Sequence, residues 1–479
     1  MNYRFLGKTL GMLLIMEAAM LLIPTAVSAI YGEHLYPFLI SVAILLAVGL
    51  PAQLIKVRNN RIYTKEGFVC VAAAWVMLSA FGALPFVFSG AIPNYIDALF
   101  ETVSGFTTTG STILSHIEDL PRGILFWRSF THWVGGMGVL MFMLALLPSD
   151  DGQSIHLMKA EVPGPTKGKI VPKMNQTARI LYGIYIFLTV AETVALRITG
   201  MPWFDSVVNS FATTGTGGFS VRNISIEAYA NPAAEWVITV FMFLCGINFN
   251  MFYFLIIRRF RDIFRNEELK AYFALCFGSV AIIAANTWNM FAKAGDCIRA
   301  AFFQVTTIMS TTGFSTTNFD LWPQLSRTVL VLLMLIGACA GSTAGGLKIS
   351  RMLIILKNTS REIKHVLRPK SVNVVKLDGE PLPEETVRGA TNYFSMYMAV
   401  IILSILIISI DNFGFETNTT AVISCMNNIG PGLGMVGPAG NFGAYSALSK
   451  IVLTLDMLIG RLEIFPMVVL LSPLSWKKR

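Results

Sequence analysis

The chain has 479 residues, of which 54% are hydrophobic and only 14% are charged. A soluble domain of this size needs far more charge to cover its surface, so the composition excludes a soluble globular protein and indicates a membrane protein. The net charge of +9 is spread over several clusters and is not gathered in one basic domain. It therefore does not indicate a protein that binds nucleic acid.

Ten apolar runs of about 20 residues follow one another along the chain, and a helix of that length crosses a hydrocarbon core of about 30 Å. The runs lie at 9–30, 35–55, 68–89, 124–147, 178–199, 234–257, 268–291, 327–356, 390–410 and 447–473. The first run is longer than the apolar core of a secretory signal, so we expect it to be retained as a helix. If the N-terminus lies inside, most Lys and Arg residues fall on the cytoplasmic side, as the positive-inside rule requires. Both termini are then cytoplasmic.

Four shorter stretches rich in Thr and Gly lie between pairs of these runs and are too polar to span a membrane. They occupy residues 106–111, 212–218, 310–315 and 427–432. The predicted fold is all-α and polytopic, and each of four units consists of a span, a short re-entrant helix, a glycine-containing loop and a second span. The units are predicted at 58–158, 159–263, 264–376 and 377–479, after two additional N-terminal transmembrane helices in 1–57.

The glycines predicted to occupy equivalent places in the four stretches are Gly110, Gly215, Gly313 and Gly430. Non-helical backbone survives at membrane depth only where it is buried in protein or lines water, so four such stretches predict one common pore. Glycine permits backbone angles that turn carbonyl groups inward, and rings of inward carbonyls replace the hydration shell of K⁺. Threonine precedes the glycine in three stretches and can add a hydroxyl ring, whereas Ile429 breaks that ring in the fourth. The predicted K⁺ site consists of Thr108, Thr109, Gly110, Thr213, Thr214, Gly215, Thr311, Thr312, Gly313, Asn428, Ile429 and Gly430.

Acidic residues stand at or just before the predicted re-entrant helices. They are Asp97, Asp205, Asp296 and Glu416. We expect them either to cap the N-termini of these helices or to make the outer mouth of the pore acidic and concentrate cations there.

Three motifs together resemble the Trk/Ktr/HKT superfamily of potassium transporters, and the two additional N-terminal spans make the chain most similar to its bacterial TrkH branch. The motifs are FWRS at 126–129 leading to WVGGMG at 133–138, GSTAGG at 341–346 before Lys348, and GRLEIF at 460–465. The resemblance implies potassium-selective uptake across the bacterial cytoplasmic (inner) membrane through a pore lined by the four glycines, with Gly110 favouring potassium over sodium.

The resemblance also implies partners. These are a second copy of the chain in a homodimer with one pore per subunit, and a cytosolic nucleotide-binding regulatory protein of the TrkA type. No cofactor is expected in this chain itself, because the nucleotide would bind to the regulatory partner. The longest inner loops, at about 148–177 and 357–389, are basic. They either receive that partner or merely follow the orientation rule.

Two features predict a gate. Arg461 lies in the middle of the last span, where an Arg costs about 2.5–3.5 kcal/mol on insertion scales and normally faces a cavity or a partner. A buried pair with the nearby Asp456 or Glu463 is the alternative, although Glu463 points to a different helix face. The stretch at 341–346 is poor helix, and it either permits close helix packing or forms a movable lid. The resemblance places Arg461 in the pore below the filter, and the predicted gate consists of Gly341, Ser342, Thr343, Ala344, Gly345, Gly346, Lys348 and Arg461.

Three classes of function are compared. A channel-like facilitator is favoured over a potassium symporter coupled to protons or sodium, because the spans offer few carboxylates, chiefly Glu17, Glu192 and Asp456. A membrane-embedded enzyme would need a cluster of His, Asp and Glu residues, but the five histidines form no HExxH or comparable set. The six cysteines include no CxxC pair and are expected to be core residues.

Overall fold

The computed structural model describes residues 1–57, 64–138, 174–371 and 373–476. The chain begins with two long helices, α1 (Tyr3–Ile30) and α2 (Tyr36–Gln53), which pack along each other. Gly11 of α1 faces Gly49 of α2 so closely that a Cβ on Gly11 would lie 3.0 Å from the Gly49 carbonyl oxygen. Small residues at this contact let the two backbones approach, as they commonly do between membrane helices.

The remaining described helices follow in chain order. They are α3 (Thr64–Gly82), α4 (Leu84–Phe88), α5 (Tyr95–Phe106), α6 (Arg122–Gly136), α7 (Met174–Ile198), α8 (Trp203–Thr214), α9 (Pro232–Cys245), α10 (Phe249–Ile256), α11 (Phe260–Arg265), α12 (Glu267–Thr287), α13 (Ala294–Met309), α14 (Gln324–Ile336), α15 (Ile349–Leu367), α16 (Glu384–Ile408), α17 (Phe415–Asn427), α18 (Ala447–Leu462), α19 (Phe465–Leu471) and α20 (Pro473–Trp476). Strands β1 (Lys376–Leu377) and β2 (Glu380–Pro381) form a short antiparallel hairpin.

Four short helices, α5, α8, α13 and α17, each follow a long helix and precede a turn that leads to another helix. Each of the four has an acidic residue in its first turn, as the sequence predicted. These residues are Asp97, Asp205, Asp296 and Glu416. A carboxylate in the first turn is favourable because the N-terminal end of a helix carries partial positive charge.

Three ion pairs each join a short helix of one unit to the helix that follows the short helix of a neighbouring unit. The pairs are Arg299 of α13 with Glu235 of α9 at 2.7 Å, Arg327 of α14 with Glu416 of α17, and Lys450 of α18 with Asp97 of α5 at 2.7 Å. The last pair connects the end of the chain to its beginning. The short helices are therefore held in a closed circular order rather than in a row.

Within the described residues, three of the helices that follow the turns are interrupted, which the apolar runs did not reveal. Helices α9 and α10 meet at a bend of 90°. The helical path from α14 to α15 is broken at 337–348, and the path from α18 to α19 is broken at Glu463 and Ile464, where φ is 59° and 44°. Helix α6 ends at Gly136, and the rest of the predicted span 124–147 lies largely outside the described residues.

Six described helices are long and apolar enough to cross a membrane, or seven if the bent pair α9 and α10 counts as one span. This number differs from the ten uninterrupted spans predicted from the sequence. Hydropathy responds to apolar side chains and not to backbone breaks, so an apolar run with a bend reads the same as a straight one.

The region after α14 also differs from the prediction. Helix α15 continues to Leu367, beyond the predicted end of the span at 356, and α16 begins at Glu384 rather than near 390. The predicted loop 357–389 is therefore partly helical and contains the β1–β2 hairpin. The other predicted inner loop, 148–177, lies almost entirely outside the described residues.

Candidate functional site

The backbone after each short helix turns twice into the left-handed region. The first turn occurs at a non-glycine residue, which adopts such angles only when its surroundings demand them. These residues are Thr108, Thr216, Thr311 and Asn428, with φ of 56°, 55°, 57° and 55°. The second turn occurs two residues later, at Gly110, Gly218, Gly313 and Gly430, with φ of 81°, 76°, 85° and 107°. We call the four stretches 107–110, 215–218, 310–313 and 427–430 the first to fourth turn segments.

The four turn segments form a closed ring, because each of these glycines lies against a backbone carbonyl of the next segment. Gly110 lies against the carbonyl of Gly217, Gly218 against that of Thr312, Gly313 against that of Ile429, and Gly430 against that of Thr109. A Cβ at any of the first three would overlap the facing oxygen, and one on Gly430 would lie 2.9 Å from it. Four carbonyl-bearing residues thus occupy the same place in the four segments, at a spacing that only glycine neighbours allow.

The predicted register of the second segment is wrong. Gly215 has φ of −70° and ends α8, while Thr213 and Thr214 are helical residues in its last turn. The hydroxyl groups of these two threonines donate to the carbonyls of Asn209 at 2.9 Å and Ser210 at 2.7 Å. The residues equivalent to 108–110 are instead 216–218. Two candidate glycines three positions apart made the sequence ambiguous, and the helix end decides between them.

The first, third and fourth segments have the predicted register. The Thr109 hydroxyl is hydrogen-bonded to that of Thr107 at 2.7 Å, and the Thr312 hydroxyl to that of Ser310 at 2.7 Å. Asn428 donates its side-chain amide to the Thr109 hydroxyl at 2.9 Å and so ties the fourth segment to the first. The hydroxyl ring expected from three repeats is therefore reduced to two threonines at the equivalent position, because Gly217 has no side chain.

A partly open cavity of about 70 Å³ adjoins the ring, and its lining includes the four glycines Gly110, Gly218, Gly313 and Gly430. Arg128 also lines this cavity, but its guanidinium is buried and is bound by neighbouring groups. It pairs with Glu101 at 2.7 Å, donates to the Ser220 carbonyl at 3.0 Å and lies 3.5 Å from the ring centroid of Phe219. Arg128 and Glu101 neutralise each other, and the second arginine of the lining, Arg222, lies 3.8 Å from Glu118 and 3.9 Å from Asp205.

Sequence reasoning missed Arg128 and His132 as supports of the turn segments. His132 is fully buried on α6 and contacts both the first short helix and the second segment. A charged residue and an imidazole four positions apart in an apolar run were the available signal, because such side chains within membrane helices normally have specific partners.

The break between α14 and α15 forms a loop at 337–348 that lies directly against the turn segments; we call it the intramembrane loop. The Gly345 amide donates to the Thr311 hydroxyl at 2.7 Å, and a Cβ on Gly345 would overlap the Asn427 carbonyl. Left-handed angles occur at Gly337, Gly341, Gly346 and also at Lys348, where φ is 75°. The interruption predicted at 341–346 is present and is longer than expected.

Polar contacts from other helices anchor both ends of the intramembrane loop. One carboxylate oxygen of Glu268 accepts from the Ala340 amide at 2.7 Å and from the Ser350 amide at 3.0 Å. The Gly341 carbonyl accepts from the Phe249 amide at 2.9 Å, at the bend between α9 and α10. Lys348 donates its ammonium to the Ala344 carbonyl within the loop.

Arg461 connects the intramembrane loop to α6. Its guanidinium donates to the Thr343 carbonyl at 2.8 Å and to the carbonyls of Gly135 and Gly136 at 2.6 and 2.8 Å. The alternative of a buried pair with Glu463 is not what the structure shows, because Glu463 is paired with Arg351. Arg461 therefore fixes a positive charge beside the loop, on the side of the ring where the loop lies.

The described residues contain no group of three or more His, Cys, Asp or Glu side chains that could hold a metal ion. The six cysteines are buried, as expected for core residues.

The sequence and the fold of this chain are similar to those of known transport proteins. The sequence model of the TrkH family, described as a cation transport protein, matches residues 37–478. The chain is 36% identical to the Trk system potassium uptake protein TrkH of Escherichia coli (strain K12), with 100% of both chains covered, and 31% identical to TrkG of the same organism, with 99% of both covered. The crystal structure of the potassium transporter TrkH from Vibrio parahaemolyticus superposes with a TM-score of 0.89 at 31% identity, over 100% of each chain. These findings confirm the resemblance and the helical membrane fold predicted from the sequence.

Proposed function

This chain belongs to the TrkH family of cation transport proteins, and from that premise we propose that it takes up potassium across the bacterial cytoplasmic membrane through the ring of turn segments. The membership confirms that the chain is a transporter and not an enzyme. The observation that carries the proposal is the closed ring, in which four glycines bring four carbonyl-bearing residues together beside a cavity.

The ring is suited to potassium by its oxygen chemistry. Backbone carbonyls replace the water shell of K⁺ without the tight hold that a carboxylate would exert, so the ion can leave again. The proposed ion-binding residues are Thr108, Thr109, Gly110, Thr216, Gly217, Gly218, Thr311, Thr312, Gly313, Asn428, Ile429 and Gly430, in which 216–218 replaces 213–215.

The intramembrane loop together with Arg461 is the proposed gate. The loop lies against the third and fourth segments, and Arg461 holds its Thr343 carbonyl. Opening requires the loop to withdraw, since a chain of backbone in contact with the ring leaves no path for an ion. Lys348 and residues 341–346 belong to this gate.

The proposed assembly is a homodimer with one pore per subunit and four pore units at 58–158, 159–263, 264–376 and 377–479, after the N-terminal helices in 1–57. Both termini are proposed to be cytoplasmic. A cytosolic nucleotide-binding protein of the TrkA type would regulate the gate. The exposed end of α15, with Lys364, Arg368 and Lys370, offers it a basic surface.

A coupled symporter is the second candidate, because three carboxylates are buried within the helices. Glu17 of α1, Glu192 of α7 and Asp456 of α18 are each no more than 2% exposed. None of the three lines the cavity beside the ring. This placement favours the channel-like mechanism over a mechanism that moves a proton with each potassium ion.

One experiment tests both candidates. The purified chain is reconstituted in liposomes, and the influx of potassium and of sodium is measured with and without an imposed proton gradient. We expect potassium to enter faster than sodium and to follow its own gradient. Potassium movement driven uphill by the proton gradient would establish the symporter, and equal influx of both ions would contradict the proposed potassium uptake.

A further inference from the structure

The second turn segment lacks the side chains that support the first and third. In those two segments a hydroxyl pair, Thr107 with Thr109 and Ser310 with Thr312, joins the first residue of the segment to the third. The second segment has glycine at both places, Gly215 and Gly217. Within the segment the Thr216 hydroxyl donates to the Gly215 carbonyl at 2.7 Å, but no side chain joins the first residue to the third.

The imidazole of His132 occupies the space that a side chain at position 217 would fill. The three atoms nearest to a Cβ on Gly217 all belong to His132: Cγ, Nδ1 and Cδ2, the last at 2.6 Å. The ring also packs on Phe219, with their centroids 4.2 Å apart. Gly217 and His132 are thus complementary, because the missing side chain makes room for the imidazole.

His132 makes one hydrogen bond on each side. The amide of Phe219 donates to Nε2 at 3.3 Å, so Nε2 has no proton and the proton of the neutral ring is on Nδ1. Nδ1 then donates to the Gly105 carbonyl at 2.7 Å, in the last turn of α5. The imidazole therefore bridges the first short helix to the second turn segment.

The bond to Phe219 fixes the direction of a carbonyl in the ring of segments. The Gly218 carbonyl and the Phe219 amide belong to the same planar peptide, and the described chain has no cis peptide bond. In a trans peptide the C=O and N–H groups point in opposite directions. Since the N–H points to His132, the Gly218 oxygen points away from His132, and Gly218 itself lines the cavity.

We propose that His132 is a positioning residue that sets potassium selectivity by holding the Gly218–Phe219 peptide in the orientation the ring requires. The inference rests on the proposed function of the ring as the potassium site. It goes beyond that function because it assigns selectivity to a side chain that does not touch the ion, and because it explains why the second segment has glycine at position 217.

Substitution of His132 by Gln or by Asn tests its two hydrogen bonds one at a time. The side chain of His132→Gln places an oxygen near the position of Nε2 and can accept from Phe219. The side chain of His132→Asn reaches only as far as Nδ1 and can donate to Gly105. His132→Ala keeps neither bond. All three variants alter the packing of the same buried site. If His132 had a purely structural role, the influx ratio would not depend on which hydrogen bond a variant keeps.

The test measures the ratio of potassium to sodium influx for each purified full-length variant in liposomes. We expect His132→Gln to stay within about twofold of the parent ratio and His132→Asn and His132→Ala to lose about tenfold, equivalent to about 1.4 kcal/mol. Equal ratios for the Gln and Asn variants would overturn the proposal. If the parent chain itself shows no preference for potassium, the proposed function fails and the inference fails with it. If the parent is selective and His132→Ala is equally selective, only the inference fails.

A second pair of variants keeps the proposal testable if the histidine variants fold poorly. Gly217→Ala places a methyl group on the imidazole and should also lower the ratio about tenfold, by displacing the ring. In the His132→Ala background that overlap is absent, so adding Gly217→Ala should lower the ratio further by less than twofold. Full additivity of the two changes would show that the imidazole and position 217 act independently, against the proposal.

Discussion

The ring of turn segments and the intramembrane loop touch each other but are held in place by different means. The ring is held by shape, because four glycines lie directly against carbonyl groups of neighbouring segments. The loop packs against the ring at one glycine, Gly345, and is otherwise anchored by polar contacts to distant side chains, chiefly Glu268 and Arg461. A close-packed contact cannot be loosened gradually, whereas single hydrogen bonds can be exchanged. The difference fits a ring that stays rigid and a loop that can be released.

The largest effect is expected from substitutions that alter the shape of the ring. Gly110→Ser and Gly218→Ala each place a side chain against a facing carbonyl in a left-handed backbone position. Overpacking of this kind costs about 1–3 kcal/mol. We expect the potassium-to-sodium influx ratio to fall by roughly ten- to a hundredfold, since 1.4 kcal/mol is tenfold.

The matched control for these variants is Gly183→Ala on α7, where nothing lies within 4 Å of an added Cβ. It should leave the influx ratio unchanged. A Gly218→Ala protein that inserts normally and keeps the parent ratio would remove Gly218 from the ion-binding site and reopen the case for Gly215.

The second prediction concerns Arg461, the charged side chain that holds the intramembrane loop. Arg461→Ala removes three hydrogen bonds to carbonyls, and bonds to charged groups contribute about 1.5–3 kcal/mol each. It also removes a positive charge whose repulsion of a cation at 4 Å is roughly 4 kcal/mol at an effective dielectric of 20. We expect basal potassium influx without a regulatory partner to rise about tenfold or more, with little change in the potassium-to-sodium ratio.

Deletion within 341–346 should raise basal influx further, and the combination with Arg461→Ala should exceed either change alone. The control is Arg197→Ala, which removes a guanidinium bonded to the Met201 carbonyl on α7, outside the loop. If both gate variants fold and basal influx stays at the parent level, the constriction lies elsewhere.

The third prediction concerns Glu268, whose carboxylate anchors both ends of the intramembrane loop. Glu268→Ala removes the acceptor of the Ala340 and Ser350 amides, whereas Glu268→Gln keeps an oxygen at the same place. An intramolecular hydrogen bond contributes about 0.5–1.5 kcal/mol, so the loss of these two should raise basal influx roughly fivefold or more in the Ala variant. The Gln variant should rise by less. A Gln variant that leaks as much as the Ala variant would show that the charge of Glu268 matters and not its acceptor oxygen.

The smallest effect is expected at the exposed end of α15. Arg361 pairs there with Glu384 and Glu362, and exposed pairs contribute about 0–1 kcal/mol, so neutralising it should barely change stability. Neutralising Arg361, Lys364, Arg368 and Lys370 together should weaken capture of a cognate nucleotide-binding partner by several-fold, and less so at high salt. The influx ratio should not change. Undiminished capture by the neutralised chain would exclude this surface as the docking site.

The sequence predicted different features of the ring of turn segments and of the intramembrane loop. Three turn segments were placed in register because the first glycine after each helix end is the one in the left-handed position, whereas in 212–218 the first glycine, Gly215, still belongs to the helix end and Gly218 takes that position. The choice is made by where α8 ends, and His132, which is far away in the sequence, fills the space beside Gly217 there. Local patterns do not contain such contacts.

The intramembrane loop was visible as a glycine-rich break, and Arg461 as a costly charge in an apolar span. Its anchors were not visible, since Glu268 stands at the start of another helix and the other partners are backbone carbonyls. The bend between α9 and α10 was missed for the opposite reason. Residues 245–248 are mostly apolar, so hydropathy continues through a place where the backbone turns by 90°.

The circular order of the segments has a consequence for biosynthesis. Contacts between the fourth segment and the first close the ring, and they join residues far apart along the chain: Asn428 to Thr109, 319 positions apart, and Lys450 to Asp97, 353 positions apart. Translation delivers the helices one after another, so the first three segments stand open on one side until α17 and α18 have entered the membrane. Closure is a late, non-local step of the slow kind. A nascent or prematurely terminated chain without those helices therefore lacks the contacts that close the ring.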